Sequence, residues 1–383
     1  MPDWRGPVSA TLRRLARGFP IVALTGPRQS GKTTLARATF PRKPYVSLED
    51  PDERRFALED PRGFLDRFRR GAVLDEAQRT PELFSYLQTE VDRDRRPGRF
   101  VLTGSQNLGL MATLSQSLAG RSAMVQLLPL ALSEVRGEAR ASGIDDFLVR
   151  GLYPALYDRK LRPADWHAGY LATYVERDVS QLANVQDLRL FERFVRLCAA
   201  RSGQLLNLSA LASDCGISDV SARRWLSVLE ASYIVHLLPP HHRNFGKRLV
   251  KSPKLCFVDA GLAAFLLGIH TPSQMSVHAS RPALFETLVA AEFLKARFND
   301  GLPSNLYFWR NNIGIEIDLV LEQASGLVPI EIKSGRTPSA DWLRNLRLWM
   351  AYAGKTASAP QIVYGGEEDY RRSGVRIRSW RGI

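Results

Sequence analysis

The chain alternates short, wholly apolar runs with stretches in which apolar side chains recur every three or four positions. Ile21-Val-Ala-Leu24 has strand length and no polar alternation, and Lys32–Thr39 follows as a helix. Val46-Ser-Leu48 and Ala72-Val-Leu74 repeat the strand pattern, Pro81–Val91 the helical one, and Phe100–Gln106 supplies a further strand. Strands without alternation are buried on both faces, so this rhythm predicts parallel βαβ units with helices on both sides of one sheet. Beyond about residue 130 the pattern changes. Asp165–Ala183 reads as a helix with Tyr170, Leu171, Tyr174 and Val175 on its apolar face. Leu208–Leu238 reads as helix, turn, helix, strand. Ser209 and Ser218 are its expected caps, and Asp214-Cys-Gly-Ile217 is the turn. Asp219–Ala231 is the second helix, with Val220, Trp225, Leu226 and Leu229 turned inward. Three more strand patterns follow: Leu306–Arg310, Glu316–Val320 and Val328–Lys333.

Chemistry enters where the first strand ends. Gly26-Pro-Arg28-Gln29-Ser30-Gly31-Lys32-Thr33 is a complete G-x-x-x-x-G-K-T phosphate loop, with Thr34 directly after it. Its glycines let backbone N–H groups curl around phosphate oxygens. Lys32 supplies a point charge for the β and γ phosphates, and Thr33 a hydroxyl for Mg²⁺. The strand before the loop and the helix after it aim a helix N-terminus at the anion. The strand Ala72-Val-Leu74 ends in Asp75-Glu76, a Walker B arrangement. Asp75 would hold Mg²⁺ through water, and Glu76 would act as general base on the attacking water. After Phe100-Val-Leu, either Thr103 or Ser105 is placed to meet the γ-phosphate or its water. Arg121, after Ser117-Leu-Ala-Gly, is read either as an arginine finger, in cis or in trans, or as a surface ion-pair partner.

Bulk properties narrow the setting. The 383 residues carry a formal charge of +14, with a pI near 10. That balance suits a polyanionic partner such as DNA, or simply an arginine-rich source. Cys198, Cys215 and Cys256 are too few and too scattered for a zinc site or a disulfide framework. No apolar run reaches the roughly 18 residues of a membrane span, and the start of the chain leaves no room for a signal peptide. A cytoplasmic protein without a membrane partner is expected.

The stretches Gly26–Thr34, Val73–Gln78, Leu102–Gln106, Leu118–Arg121, Tyr174–Val179, Lys247–Leu255 and Asn312–Lys333 together resemble a prokaryotic AAA-type P-loop ATPase family. The C-terminal half of that family is usually labelled a domain of unknown function. The resemblance implies an ATP-binding domain over residues 1–130 and a helical lid or linker over 131–190. It implies a winged helix over 191–270 and a restriction-endonuclease-like α/β domain over 271–383. Arg177 is either a second sensor arginine or one half of a surface ion pair.

Two parts of the C-terminal half carry chemistry of their own. Arg223 and Arg224 lie on the second helix of the helix–turn–helix, and His241–Arg248, Lys251 and Lys254 form a basic stretch. A winged helix that reads DNA has this pattern, and so does one used only for packing. His241 and His242 read as solvated loop residues, since no metal-ligand spacing accompanies them. Glu331 and Lys333 share one face of a strand, as do Glu316 and Asp318 on the strand before it. If the strands pair, Asp318, Glu331 and Lys333 converge, with two carboxylates for a divalent metal and a lysine for water or phosphate charge. Asp followed by Glu-x-Lys resembles the core of the PD-(D/E)XK nucleases, and Glu286 on the preceding helix offers another carboxylate.

The expected protein is therefore an α/β ATPase that uses ATP and Mg²⁺ and associates with nucleic acid. Its C-terminal module either cleaves DNA or serves as an inert platform. The competing reading is a nucleotide-controlled regulatory or defence-system protein, possible as a homo-oligomer, with no nuclease activity. A small-molecule kinase fits less well, given the Asp-Glu pair and the long C-terminal extension.

Overall fold

A computed structural model describes residues 5–105, 118–159, 161–175, 187–241 and 251–383. Gln106, Arg177, His242 and the basic stretch 242–250 lie outside the described residues, as does the end of the helix expected from Asp165. The chain divides into two compact units. The first is Met1–Pro129 with the short segments Ala231–Tyr233 and Lys295–Pro303, and the second is the remainder.

The first unit holds a five-stranded sheet. Its strands are β1 (Ile21–Thr25), β2 (Tyr45–Ser47), β3 (Ala72–Asp75), β4 (Phe100–Gly104) and β5 (Ser122–Gln126), in the order β2-β3-β4-β1-β5. Every pairing is parallel. The unbroken apolar runs have a direct cause, since both faces are covered. Ile21, Ala23, Leu74, Phe100 and Leu102 pack with Phe64, Phe84 and Leu87. Val22 and Leu24 pack with Val8, Leu12, Leu35 and Val125. The helix Lys32–Thr39 starts directly after the loop, as its sequence predicts. The strand order matters for function. It inserts β4 between β1 and β3, so the β4 end lies between the loop and Asp75.

The second unit contains the helices Leu188–Ala199, Leu208–Cys215 and Asp219–Ala231. They are accompanied by a three-stranded antiparallel sheet of β6 (Gln204–Leu205), β7 (Val235–Leu238) and β8 (Lys254–Phe257), with β8 in the centre. Three local expectations are corrected here. Asn207, not Ser209, caps the first helix of the pair, accepting from the Ala210 N–H at 3.0 Å. The Ser209 hydroxyl instead donates to Asp219. Val220 is 78% exposed, because the buried face is set by Ala222, Trp225, Leu226 and Leu229 and Val220 falls on the other side. His241 is buried rather than solvated. Its ring meets Tyr307 edge-on at 5.3 Å, and its backbone N–H donates to Phe308 O.

The six-stranded mixed sheet follows: β9 (Leu306–Arg310), β10 (Glu316–Gln323), β11 (Gly326–Lys333), β12 (Gln361–Tyr364), β13 (Tyr370–Arg372) and β14 (Val375–Ser379). Their order is β13-β14-β12-β11-β10-β9. β10 pairs with β11 antiparallel, with Leu319 opposite Ile330. One face is covered by the helix Arg344–Ala353, through Leu346 and Trp349 packed on Ile317, Val320 and Ile362. Among the described residues no helix is long and apolar enough to cross a membrane.

Candidate functional site

Backbone conformations that only glycine accepts build the phosphate loop. Gly26 has φ 150°, and a Cβ there would sit 2.0 Å from Leu127 O. Gly31, with φ 90°, starts the helix Lys32–Thr39. Gln29 is left-handed without being glycine. Lys32 is buried, and its Nζ donates to Gly26 O at 3.0 Å and Pro27 O at 2.7 Å, so the ammonium lies inside the curl of the loop. Ser30 Oγ is buried without a hydrogen-bond partner among the described residues. The buried Arg5 guanidinium braces the loop from behind, donating to Ser30 O at 2.9 Å and Leu128 O at 3.1 Å. Beside the loop opens a cleft of about 430 Å³ lined by Thr33, Thr34, Arg37, Lys43 and Tyr45.

The acidic residues after β3 meet the loop. Thr33 Oγ1 lies 3.0 Å from both carboxylate oxygens of Asp75. Tyr45 Oη donates to the same carboxylate at 2.8 Å, and Thr103 Oγ1 donates to it as well. Burial and the bond to Asp75 push the Tyr45 phenol up to about 12. Glu76 adopts a left-handed conformation, φ 54°, a strained state for a residue with a Cβ. Its Oε2 accepts from Gln78 Nε2 at 2.5 Å and from Ser105 Oγ at 3.1 Å. The two strand-end hydroxyls thus divide their partners: Thr103 serves Asp75 and Ser105 serves Glu76. Oxygen donors, a buried lysine and an unsatisfied loop hydroxyl form a set that fits a nucleoside triphosphate with Mg²⁺.

Arg121 is not brought to this site. It immediately precedes β5, whose first residue pairs with Ile21 at the start of β1. The phosphate loop leaves the opposite end of β1, a five-residue strand or about 16 Å away. Arg121 binds Asp92 through two contacts, Nε to Oδ1 at 2.7 Å and Nη2 to Oδ2 at 2.9 Å. The cis arginine-finger reading is corrected by this register.

A second cluster of charged groups lies in the second unit. Asp318 Oδ2 accepts from the Ile332 N–H at 2.7 Å, across the β10–β11 pairing. Lys333 Nζ is 2.6 Å from Glu331 Oε2 and 3.9 Å from Asp318 Oδ2. Glu331 Oε1 is buried with no hydrogen-bond partner among the described residues. Glu286 comes from the helix Arg281–Asn299 and is bound by Lys254 Nζ at 2.7 Å. Lys254 Nζ also lies 2.5 Å from Glu316 Oε1. Burial and then the Asp318 charge push Glu331 up to about 8 and Glu286 up to about 7. Burial would lower both lysines, but the surrounding carboxylates raise them instead. The expected convergence of Asp318, Glu331 and Lys333 occurs, with Glu286 and Glu316 beside it. Among the described residues no three His, Cys, Asp or Glu side chains are arranged as a metal-binding group. A divalent ion therefore fits this cluster only partly, through Asp318 and Glu331.

Residues 18–136 match a family model described as an AAA domain. Residues 141–273 and 281–380 match two models described as domains of unknown function, DUF8612 and DUF4143. "Uncharacterized protein Rv2008c" of Mycobacterium tuberculosis and "Uncharacterized protein Mb2031c" of Mycobacterium bovis are each 35% identical over 371 residues. The match spans 96% of this chain and 81% of each relative. The chain belongs to their family. Its amino-terminal unit is a P-loop domain of the AAA type, and the carboxy-terminal sheet carries the DUF4143 match. Among solved structures, the Walker-type ATPase PABY2304 of Pyrococcus abyssi aligns over 69% of this chain and 95% of its own. The identity is 15% and the TM-score 0.46. Thermotoga maritima RuvB aligns over 62% of this chain and 89% of its own, at 18% identity and TM-score 0.29.

Several residues that shape the two sites of this AAA-domain protein carry no motif. Arg5 reaches the loop from the start of the helix Gly6–Leu15 and Tyr45 reaches Asp75 through the β2–β3 pairing, whereas Gln78 meets Glu76 locally, two residues along the chain. Lys254 reads as one more member of a basic stretch, although it is 2% exposed. Its signal was the apolar run Leu255-Cys-Phe-Val258 directly after it, which marks a buried strand.

Proposed function

We propose that the amino-terminal unit binds and hydrolyses ATP. The observation that carries this reading is the contact between Thr33 and Asp75, which joins the two phosphate-handling motifs at one point. Pro27, Arg28, Gln29, Ser30 and Thr34 complete the cradle around Gly26, Gly31 and Lys32. On binding, Lys32 exchanges the Gly26 and Pro27 carbonyls for phosphate oxygens. Thr33 and Asp75 would hold Mg²⁺, which when bound supplies charge neutralisation between the β and γ phosphates. Glu76 takes the proton of the attacking water, and Gln78 and Ser105 hold its carboxylate in place. The test is nucleotide binding and turnover by the full chain. Lys32→Ala loses ATP binding, whereas Glu76→Gln binds ATP and loses turnover by about 10²–10⁴-fold. Normal hydrolysis by Lys32→Ala would overturn the proposal.

A second function is proposed for the carboxy-terminal cluster: metal-dependent cleavage of DNA, with Asp318 and Glu331 as metal ligands and Lys333 as the charge-stabilising group. The convergence of these three side chains on adjacent strands favours it. Exposed Arg223 and Arg224, together with the net charge of +14, favour association of the whole chain with DNA. Purified protein with Mg²⁺ or Mn²⁺ is expected to cut DNA, and Asp318→Ala to abolish the cut. DNA is also expected to stimulate ATP turnover. No cleavage and no DNA binding at any salt, with nucleotide-dependent assembly instead, would favour a regulatory interaction protein.

A further inference from the structure

Lys254 is the first residue of β8, the central strand of the three-stranded sheet, yet its ammonium lies in the carboxylate cluster of the six-stranded sheet. The residue is 2% exposed, and its Nζ sits 5.5 Å from the centre of the Phe308 ring. It contacts Glu286 at 2.7 Å and Glu316 at 2.5 Å, while Lys333 covers Glu331 from the other side. A buried ammonium is retained only where carboxylates compensate it, and here the compensation is reciprocal. Removing the lysine would leave the half-buried Glu286 without its counter-charge, whereas Glu316 would keep Arg310, whose Nη1 lies 3.0 Å from Glu316 Oε2.

The cluster still has unused acceptor capacity. Glu331 is 2% exposed, and its Oε1 has no partner among the described residues. An oxygen buried in this way points to a further cation-binding position. Divalent ions require several oxygens at roughly 2.0–2.6 Å around one point. Glu286 Oε1 and Glu316 Oε1 are instead directed at the Lys254 ammonium, a compact point charge with three donors, and Glu316 Oε2 is held by Arg310. Lys254 and a divalent ion thus compete for the same carboxylates.

We propose that the Lys254 ammonium is the resident cation of the Glu286–Glu316–Asp318–Glu331 cluster and decides whether a divalent metal can enter. With Lys254 seated, the cluster is a lysine-filled site that holds Mg²⁺ or Mn²⁺ poorly. With Lys254 withdrawn, Glu286 joins Asp318 and Glu331 as an oxygen ligand set. The inference rests on the reading of the cluster as a metal centre, and it adds the element that controls it.

The test is Mn²⁺ binding to the full chain without nucleotide, followed by calorimetry and by electron paramagnetic resonance of the free ion. The variants are Lys254→Met, Lys254→Gln, Lys254→Arg and the double variant Lys254→Gln with Asp318→Asn. Lys254→Gln keeps a donor for Glu286, so it covers the case in which Lys254→Met fails to fold. The expected result is at least about tenfold tighter Mn²⁺ binding by the neutral variants. Lys254→Arg should stay as weak as wild type, and the double variant should lose the gain. Equal Mn²⁺ binding by wild type and folded Lys254→Gln would overturn the role of Lys254 and leave the metal centre standing. No binding by any folded variant would overturn both. Tight binding that survives Asp318→Asn would place the ion elsewhere and also overturn the proposal.

Discussion

Thr33 Oγ1 lies 3.0 Å from each carboxylate oxygen of Asp75, although 42 residues separate them in the chain. Asp75 gathers three hydroxyls in all, those of Thr33, Tyr45 and Thr103. Asp75→Asn keeps the shape and removes the charge. It is expected to lower ATP turnover by at least about 100-fold, the scale for losing one transition-state charge contact, while thermal melting changes little. Asp75→Ala also strands three hydroxyls and should destabilise the fold by about 1–3 kcal/mol. Turnover measured across a Mg²⁺ titration, with melting curves of both variants, checks the pair of outcomes.

Arg5 precedes every motif, yet it holds the loop by donating to Ser30 O and Leu128 O. Hydrogen bonds from a charged group contribute about 1.5–3 kcal/mol each. Arg5→Ala should therefore weaken ATP binding about tenfold through a looser loop, without touching Lys32. Arg5→Lys should recover only part, because one ammonium cannot reproduce the two-pronged guanidinium. Nucleotide dissociation constants for the three proteins decide the matter, and equal values would mean the loop holds its shape without Arg5.

Arg121 is expected to be dispensable for turnover. Its two contacts to Asp92 form a solvent-screened surface ion pair, which adds little to stability. Arg121→Ala should keep ATP turnover within about twofold of wild type at every protein concentration. A loss that grows with protein concentration would instead reveal action on a neighbouring copy's nucleotide.

Acid should weaken the second unit through two histidines. Burial lowers His236 to about 4, and its Nε2 has no partner among the described residues. Burial also lowers the fully buried His167, whose Nε2 meets Arg150 O at 3.0 Å. Both folded-state values lie below the unfolded value near 6.5. Their stability is complete above that pH and is lost as the pH falls through the window, down to about 4 for His236. His236 alone would contribute up to about 3 kcal/mol of this loss. Urea melts between pH 7 and pH 4 should show a shallower acid limb for His236→Phe than for wild type. An unchanged limb would rule out His236 as a source.

Much of the first unit was legible in the sequence because its signals are local. The apolar runs β1, β3 and β4, the loop glycines and the helix at Lys32 follow from backbone sterics and from burial on both faces of one sheet. The Asp75-Glu76 pair was legible as the acidic end of an apolar strand, and the Glu-x-Lys of β11 because two-residue spacing fixes a shared strand face. Helix phase and caps were less secure. Val220 and Ser209 fit their local patterns, but packing selected Ala222 for the inside and Asn207 for the cap.

By itself, the sequence determined which chemistry the chain carries: a phosphate loop, an acidic strand end and a carboxylate–lysine strand pair. Only the tertiary structure decided which groups meet. Strand order put Thr103 on Asp75 and Ser105 on Glu76, and parallel register left Arg121 at the far end of the sheet. It also sent Lys254, outwardly part of a basic surface stretch, into a half-buried cluster of carboxylates. The physical reason is that motif chemistry depends on neighbours within a few residues, whereas pairing of charges depends on distances that only packing and strand order set.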